Sequence, residues 1–386
     1  MKSFALLLAS IVLVAAALPV LAGQTPDENN SRGGPFIIGA DISWIPEDEA
    51  AGAEYFDHGV KLDIFEILKD RGFNYVRLRV FVDPKSTNGY ARRMSEAFCD
   101  LAHTQAMARR AKVAGMGILL DVHYGDTWTS PGHQEKPVAW QTLDFPGLTN
   151  AVREFTHEVV LALKTNGTPA NMVAVGNEIS DGMLFPDGRR SNFDKFAALV
   201  QAGIVGAKAA DPSVKIMLHH HLGRSNERMR EWLDNFIARG TQFDVIGMSC
   251  YSQAAEGDWE KNFADLAKRY PKHGLIAVEY SGRKRVINDL IFNAPDKKGL
   301  GTFIWEPTRH REAFFDREGR NAGGGANPEF VEAKPTNAPA TMTATNIANA
   351  EAPRVRVRHG GRYDVNELIE VYPQMARDYG NIPAAK

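Results

Sequence analysis

The chain has 386 residues, and its 45 basic against 47 acidic side chains leave a net charge of −2, so no basic face for nucleic acid is implied. At 44% hydrophobic and 24% charged, it is an ordinary globular composition with ample material for a large core. Length alone allows two or three domains, yet barrels of about 250 residues or more fold as one unit.

Residues 1–22, "MKSFALLLASIVLVAAALPVLA", open with Lys2, run apolar and close on Val20-Leu21-Ala22, a small-residue cleavage pattern. A transmembrane anchor is the alternative, but Pro19 and its small neighbours favour a cleaved signal peptide. No Cys follows, so no lipid anchor is indicated, and the expected location is secreted, extracellular or periplasmic. Residues 23–35 form a polar, Gly/Pro-rich flexible linker. The barrel reading then spans residues 36–386.

From residue 36 one pattern repeats: a short β-branched apolar run ending in polar or aromatic residues, then an amphipathic helical stretch. The runs are "FIIGADIS", "YVRLRVF", "GILLDVHY", "MVAVGNE", "KIMLHHH", "DVIGMSCY", "LIAVEYS" and "GTFIWEP". Segments such as "VKLDIFEILKDRG", "TQAMARRAKVAGM" and "NERMREWLDNFIARG" lie between them, several ending on a Gly as helices do. Eight alternating strand–helix units predict an α/β fold, a closed (β/α)8 TIM barrel with a single catalytic domain. Residues 322–352, rich in Ala, Asn, Thr, Gly and Pro, read as a disordered low-complexity insertion. "RYDVNELIEVYPQMARDYG" then resumes a helical pattern at Leu368, Val371, Met375 and Tyr379, read as the eighth helix. A separate C-terminal domain would have too few residues for its own core.

Barrel active sites sit where strands end. Here those ends offer Asp41, Arg77 and Arg79, Asp121 and His123, Asn177 and Glu178, His219 to His221, Tyr251, Glu279, and Trp305 with Glu306. Burying so many charges costs free energy unless they are paired, so structural ion pairs explain single members better than the whole ring. Glu178 and Glu279 end the fourth and seventh runs and can face each other across the mouth. Paired carboxylates flanking a bond are what glycoside hydrolysis requires, one protonated and one ionised. Arg79 and Tyr251 suit the ionised member, Glu279, and Asn177 is placed to hydrogen-bond a sugar hydroxyl. Trp128, Trp140 and Trp305 offer faces on which sugars stack.

On "GADIS", "VRLRVFVDP", "AGMGILLDVHYGDTWTSPGHQEKPVAW", "VAVGNEISDGMLFP", "KIMLH", "AVEYS" and "FIWEP", the sequence resembles glycoside hydrolase family 53, the endo-β-1,4-galactanases, over about residues 36–316. The resemblance implies a retaining (β/α)8 glycosidase with Glu178 as acid/base and Glu279 as nucleophile. It further implies that Arg79 and Tyr251 support the nucleophile and that His123, Asp126, Trp128, His219 and Trp305 line sugar subsites, with Asp41 supporting. In the wider clan the peptide bond after the last-strand Trp is often cis, which makes Trp305–Glu306 a candidate. The chain departs from the family pattern at Tyr280-Ser281-Gly282, at Ser249-Cys250-Tyr251-Ser252, at His220 and His221, and in the short Glu279-to-Trp305 segment. Those departures bear on the outer subsites, not on the glutamates.

Strand alternation puts His219 and His221 on one face and His220 on the other, which argues against a zinc site, and no metal is assigned. No cofactor is expected; a structural calcium stays open, with no unambiguous oxygen-ligand loop in view. Cys99 and Cys250 lack motif spacing, and either a disulfide or two buried free thiols fits. The expected partner is a polysaccharide, β-1,4-galactan or a related β-glycan, with no nucleic acid, no membrane after signal removal, and a monomeric chain. The alternatives are a same-clan enzyme for another β-glycan, a non-catalytic glycan-binding barrel, and a barrel enzyme for a phosphorylated substrate. For the last, "SGRKRV" is a feeble phosphate loop.

Overall fold

Each of the eight apolar runs is a parallel strand of one closed barrel: β1 (Ile37–Asp41), β2 (Tyr75–Val80), β3 (Gly117–Val122), β4 (Met172–Val175), β5 (Lys215–His220), β6 (Val245–Ser249), β7 (Gly274–Tyr280) and β8 (Gly299–Trp305). Neighbours in the chain are neighbours in the sheet, and β8 closes on β1 with Asp41 opposite Trp305. The computed structural model describes residues 32–251, 257–309, 312–318 and 360–383. The predicted signal peptide, residues 23–31 of the linker and the 322–352 insertion lie outside the described residues.

The outer helices are α1 (Ile64–Asp70), α2 (Leu101–Val113), α3 (Phe145–Thr165), α4 (Phe193–Ala210), α5 (Asn226–Ala238), α6 (Trp259–Arg269), α7 (Lys284–Phe292) and α8 (Val371–Asp378). Asp63, Asp100, Asp144, Asn192 and Asp258 each precede a helix and accept a backbone N–H of its first turn. Such a cap contributes about 1 kcal/mol and fixes where each loop ends and each helix begins.

The barrel interior follows from strict alternation. Ile37, Leu119, Met172, Ala174, Met217, Val245, Ile276, Val278 and Phe303 point inward and pack into one buried cluster, with Tyr75 and Leu300 at its edge. Gly39 makes room for Phe303: a Cβ there would lie 2.3 Å from the ring. This layer is the floor on which the polar strand ends stand.

Two stretches differ from their sequence reading: Val60–Leu62, the start of "VKLDIFEILKDRG", is a short strand ahead of the Asp63 cap, and the start of "RYDVNELIEVYPQMARDYG" is also a strand. Gly361–Val365 is a strand, not the start of a helix, pairing parallel with Ala53–Asp57 and antiparallel with Phe315–Arg317 in a four-stranded side sheet completed by Val60–Leu62. Tyr363 is fully buried there, its ring 5.5 Å from that of Tyr55, and this tertiary contact overrides the weak helical spacing. Leu368, expected on the apolar stripe, is 40% exposed. The helix itself does close the ring: Tyr372 lies 4.5 Å from the Phe73 ring and shares a 3.0 Å hydroxyl contact with Tyr280. Gly72 (φ 88°) has no room for a side chain beneath Ala376, whose Cβ would be 2.5 Å away.

Because Phe303 fills the barrel axis, Phe303→Ala should destabilise the fold by about 3–5 kcal/mol through lost transfer energy and a residual cavity. Urea unfolding followed by tryptophan fluorescence measures this, and a loss under about 1 kcal/mol would mean that the interior is not packed as described.

Candidate active site

Two breaks in backbone regularity aim the glutamates. On β7 the register with β6 passes from Met248↔Ala277 to Ser249↔Glu279, and that with β8 from Ala277↔Thr302 to Tyr280↔Ile304. The extra residue is a β-bulge, and it turns Glu279 inward although Val278 already points there. On β4, Gly176 (φ 87°) ends the extended chain, and Glu178 itself is left-handed (φ 47°, ψ 46°). A non-glycine residue in that region costs roughly 1–2 kcal/mol, so its neighbours must hold it there.

Arg77 is the hub. Its Nη1 donates to Asp41 (2.9 Å) and Glu279 (2.7 Å), and its Nη2 to Asp121 (2.7 Å) and Asn177 (2.7 Å), with the side chain 1% exposed. Three carboxylates thus share one guanidinium. Burial alone would lower the Arg77 pKa, but Asp121, Glu279 and Asp41 outweigh it and raise it. Burial likewise works to raise Asp121, yet Arg77 and His123 hold its carboxyl well below the usual range. The Thr129 amide donates to His123 Nδ1 (3.0 Å), so His123 is the Nε2–H tautomer, donating to Asp121 at 2.8 Å.

Glu178 and Glu279 are unequal. Glu279 takes Arg77 on Oε1 and the Tyr251 hydroxyl on Oε2 (3.0 Å). Among the described residues no cation contacts Glu178; Ser249 Oγ lies 2.5 Å from its Oε1. Burial raises both carboxyls, with Arg77 opposing at Glu279. Glu178 is pushed up to about 8 by burial and by the charge of Glu279. The pair's negative charge therefore rests on Glu279, and Glu178 is the protonated member at neutral pH. Donor atoms of Glu178, His219 and Glu279 lie within 4.8 Å of one another, the one such group of ligand-type atoms among the described residues. Both ring nitrogens of His219 are already engaged, Nδ1 by the Glu178 backbone amide and Nε2 with Ser249, so the group is a hydrogen-bonded set rather than a free ligand set.

Several expected residues stand elsewhere. Arg79, not Arg77, was expected on the nucleophile; both point inward, but Arg79 lies two residues further along β2, where Glu306 captures it at 2.8 Å. Its guanidinium lies 4.7 Å over the Trp44 ring and 5.6 Å over Trp128. Trp140 is buried in the core against Phe155 and Tyr124 and cannot offer a face to sugar. Asp126 spends both oxygens on the chain, accepting from Asp83 N, Ser86 Oγ and Val138 N, which fixes its loop. The Trp305–Glu306 bond is not among the cis bonds of the described residues, and the irregularity there is the left-handed Glu306 (φ 40°). His219 and His220 point oppositely, as alternation predicts: His219 joins the site, and His220 packs on Trp232. Cys99 and Cys250 are both free and buried.

Trp128 is partly exposed, stacks on Trp44 (4.7 Å, 32°) and lines a cleft of about 390 Å³ with Asn88, Arg92, Thr129 and Lys136. Trp305 ends β8 partly exposed at the mouth. Sequence reasoning missed the roles of Arg77, Asp121 and Ser249. Arg77 and Arg79 share a face by alternation, so only the spatial register separates them, and nothing in "SCYS" marks Ser249 as a partner of Glu178.

The pattern of glycosyl hydrolase family 53 matches residues 37–285. A probable arabinogalactan endo-β-1,4-galactanase A of Neosartorya fischeri is 36% identical over 307 residues, covering 70% of this chain and 83% of that protein. Among solved structures, the Ignisphaera aggregans GH53 catalytic domain superposes with a TM-score of 0.66 at 31% identity, covering 72% of this chain and 86% of that one. A fungal β-1,4-galactanase gives 0.63 at 29% identity, covering 71% and 90%. With the family pattern covering residues 37–285, from β1 through β7, the chain belongs to glycosyl hydrolase family 53.

Proposed function

We propose that the protein is an exported endo-β-1,4-galactanase that cleaves galactan by double displacement, with Glu279 as nucleophile and Glu178 as acid/base. The observation that carries this is the asymmetric pair: one oxygen of each glutamate within 4.8 Å, with a counterion, among the described residues, on Glu279 and not on Glu178. Retaining enzymes hold their carboxyls about 5–5.5 Å apart, and inverting ones about 6.5–9.5 Å. The substrate is argued from the named fungal relatives, and export from residues 1–22. A carbohydrate-binding barrel without turnover would need neither the raised Glu178 nor the ion-paired Glu279.

In the first step Glu279 attacks the anomeric carbon while Glu178 gives its proton to the departing glycosidic oxygen. The product is an ester at Glu279 and a free chain end. With Glu279 neutralised, the repulsion that raised Glu178 disappears, and its carboxylate can take a proton from water. That water attacks the anomeric carbon, and Glu279 leaves as a carboxylate to rejoin Arg77. Asn177, fixed by Arg77 on Oδ1 and by its Nδ2 donation to Thr129 O (2.7 Å), orients the sugar beside the reacting carbon.

The substrate test is hydrolysis of linear β-1,4-galactan against a panel of other β-glycans. Mixed galactan oligomers support the proposal; activity only on another β-glycan moves specificity to Cys250 and Tyr280–Gly282, and no activity on any substrate sinks it. Glu178→Ala and Glu279→Ala should each lose at least about 100-fold in kcat with the fold intact. With an activated glycoside and azide, the Glu178 variant should give the β-glycosyl azide and the Glu279 variant the α-anomer; the reverse would exchange the roles.

The pH dependence has a definite sign. Activity needs Glu178 protonated, so kcat/KM should fall as pH rises through about 8. Glu178 also holds its proton more tightly folded than unfolded, so it costs stability as pH rises from its ordinary range toward 8. Glu178→Gln should therefore raise Tm relative to wild type at pH 9 and much less at pH 4, by calorimetry; equal effects at both would contradict the raised acid.

Arg77→Lys keeps the charge but cannot serve four acceptors in one plane. It should lower kcat by at least about 100-fold, and a near-normal rate would remove Arg77 from the centre of the site.

A further inference from the structure

Glu178 is held by two contacts that converge on one imidazole. Its backbone N–H donates to His219 Nδ1 at 3.3 Å, and its Oε1 meets Ser249 Oγ at 2.5 Å, which in turn lies 2.9 Å from His219 Nε2. The amide contact makes Nδ1 an acceptor, which leaves the ring proton on Nε2. Nε2–H then donates to Ser249, and the Ser249 hydroxyl proton goes to Oε1. Asn177 Oδ1 also lies 3.0 Å from Nδ1, but with Nδ1 an acceptor the two make no hydrogen bond, and Oδ1 takes its hydrogen bond from Arg77 at 2.7 Å. A proton on Nδ1 would instead confront the Glu178 amide.

We infer that His219 and Ser249 are positioning residues that clamp the backbone and carboxyl of Glu178 together, reserving Oε1 as an acceptor so that the transferable proton rides on Oε2. The inference rests on the acid/base role proposed above. It gives the strained, left-handed Glu178 backbone a specific anchor. Burial keeps His219 neutral despite Asp121, with Arg77, His123 and His221 acting in the same direction, so the clamp adds no charge. Ser249 adds only a hydroxyl facing Glu178, whose other charged or titratable neighbours are Glu279, Arg77, Asp121 and Tyr251.

The test compares wild type, Ser249→Ala and Ser249→Thr across pH on a galacto-oligosaccharide and on a 2,4-dinitrophenyl glycoside, whose leaving group needs no proton. Losing a donor to the ionised form should move the basic limb of kcat/KM upward by about one to two pH units in Ser249→Ala. The rate at the optimum should fall at least about tenfold on the oligosaccharide, and less than about threefold on the dinitrophenyl glycoside. Ser249→Thr should restore both. A basic limb that stays or moves down, or equal losses on the two substrates, overturns the inference. In the wild-type protein, 15N-histidine NMR should show His219 protonated on Nε2 and bare on Nδ1, and the opposite tautomer also overturns it. Failure of Glu178 itself would show separately, as a wrong azide product in Glu178→Ala.

Discussion

A buried guanidinium with four acceptors organises this site. Arg77 lies at the top of the apolar barrel floor, where an isolated charge would cost many kcal/mol, and only the converging Asp41, Asp121, Asn177 and Glu279 make it tenable. The constraint runs both ways. Five strands must end at matching heights for these groups to meet, so barrel register and active-site geometry are one requirement. A planar fork suits it where a point charge would not.

The same arrangement divides labour between the two glutamates. With Asp41, Asp121 and Glu279 already drawing on Arg77, its charge only partly offsets the burial and repulsion felt by Glu178. Its contacts are a serine hydroxyl and a backbone-anchored histidine, and its charge would face that of Glu279. A site built from identical carboxyls thereby holds one proton on a predictable member. The asymmetry is a consequence of where the cation sits, and under the proposed double displacement it would reverse locally once Glu279 is esterified.

The barrel was legible in the sequence because it depends on periodicity and caps, which are local. All eight strands stand where their apolar runs predicted, and the helices lie between them as their spacing predicted, five of them capped by an Asp or Asn in the structure. Glu178, Glu279, Asn177 and Tyr251 were legible as polar groups ending core strands. What was not legible depends on breaks in periodicity or on distant partners. Alternation cannot say which of Arg77 and Arg79 reaches Glu279, because both face inward and the β7 bulge sets the height of Glu279. Trp140 is, by sequence, one of three candidate faces for sugar, yet Phe155 from α3 packs against it and it is buried. The Gly361–Val365 strand forms only because Ala53–Asp57, some 300 residues earlier, offers an edge.

These misplacements share a cause that bears on how such a site is built. A regular strand delivers a side chain to a face, but only in steps of two residues, about 6–7 Å along the axis. Two carboxyls that must lie within 4.8 Å of each other need finer adjustment than that step allows. The bulge at Glu279 and the left-handed turn at Glu178 supply it, each at a local cost in backbone energy. The hydrogen bonds from Arg77, Tyr251, Ser249 and His219 offset that cost at the two irregular residues. Catalytic geometry and backbone strain are therefore located together, and the polar network holds both in place.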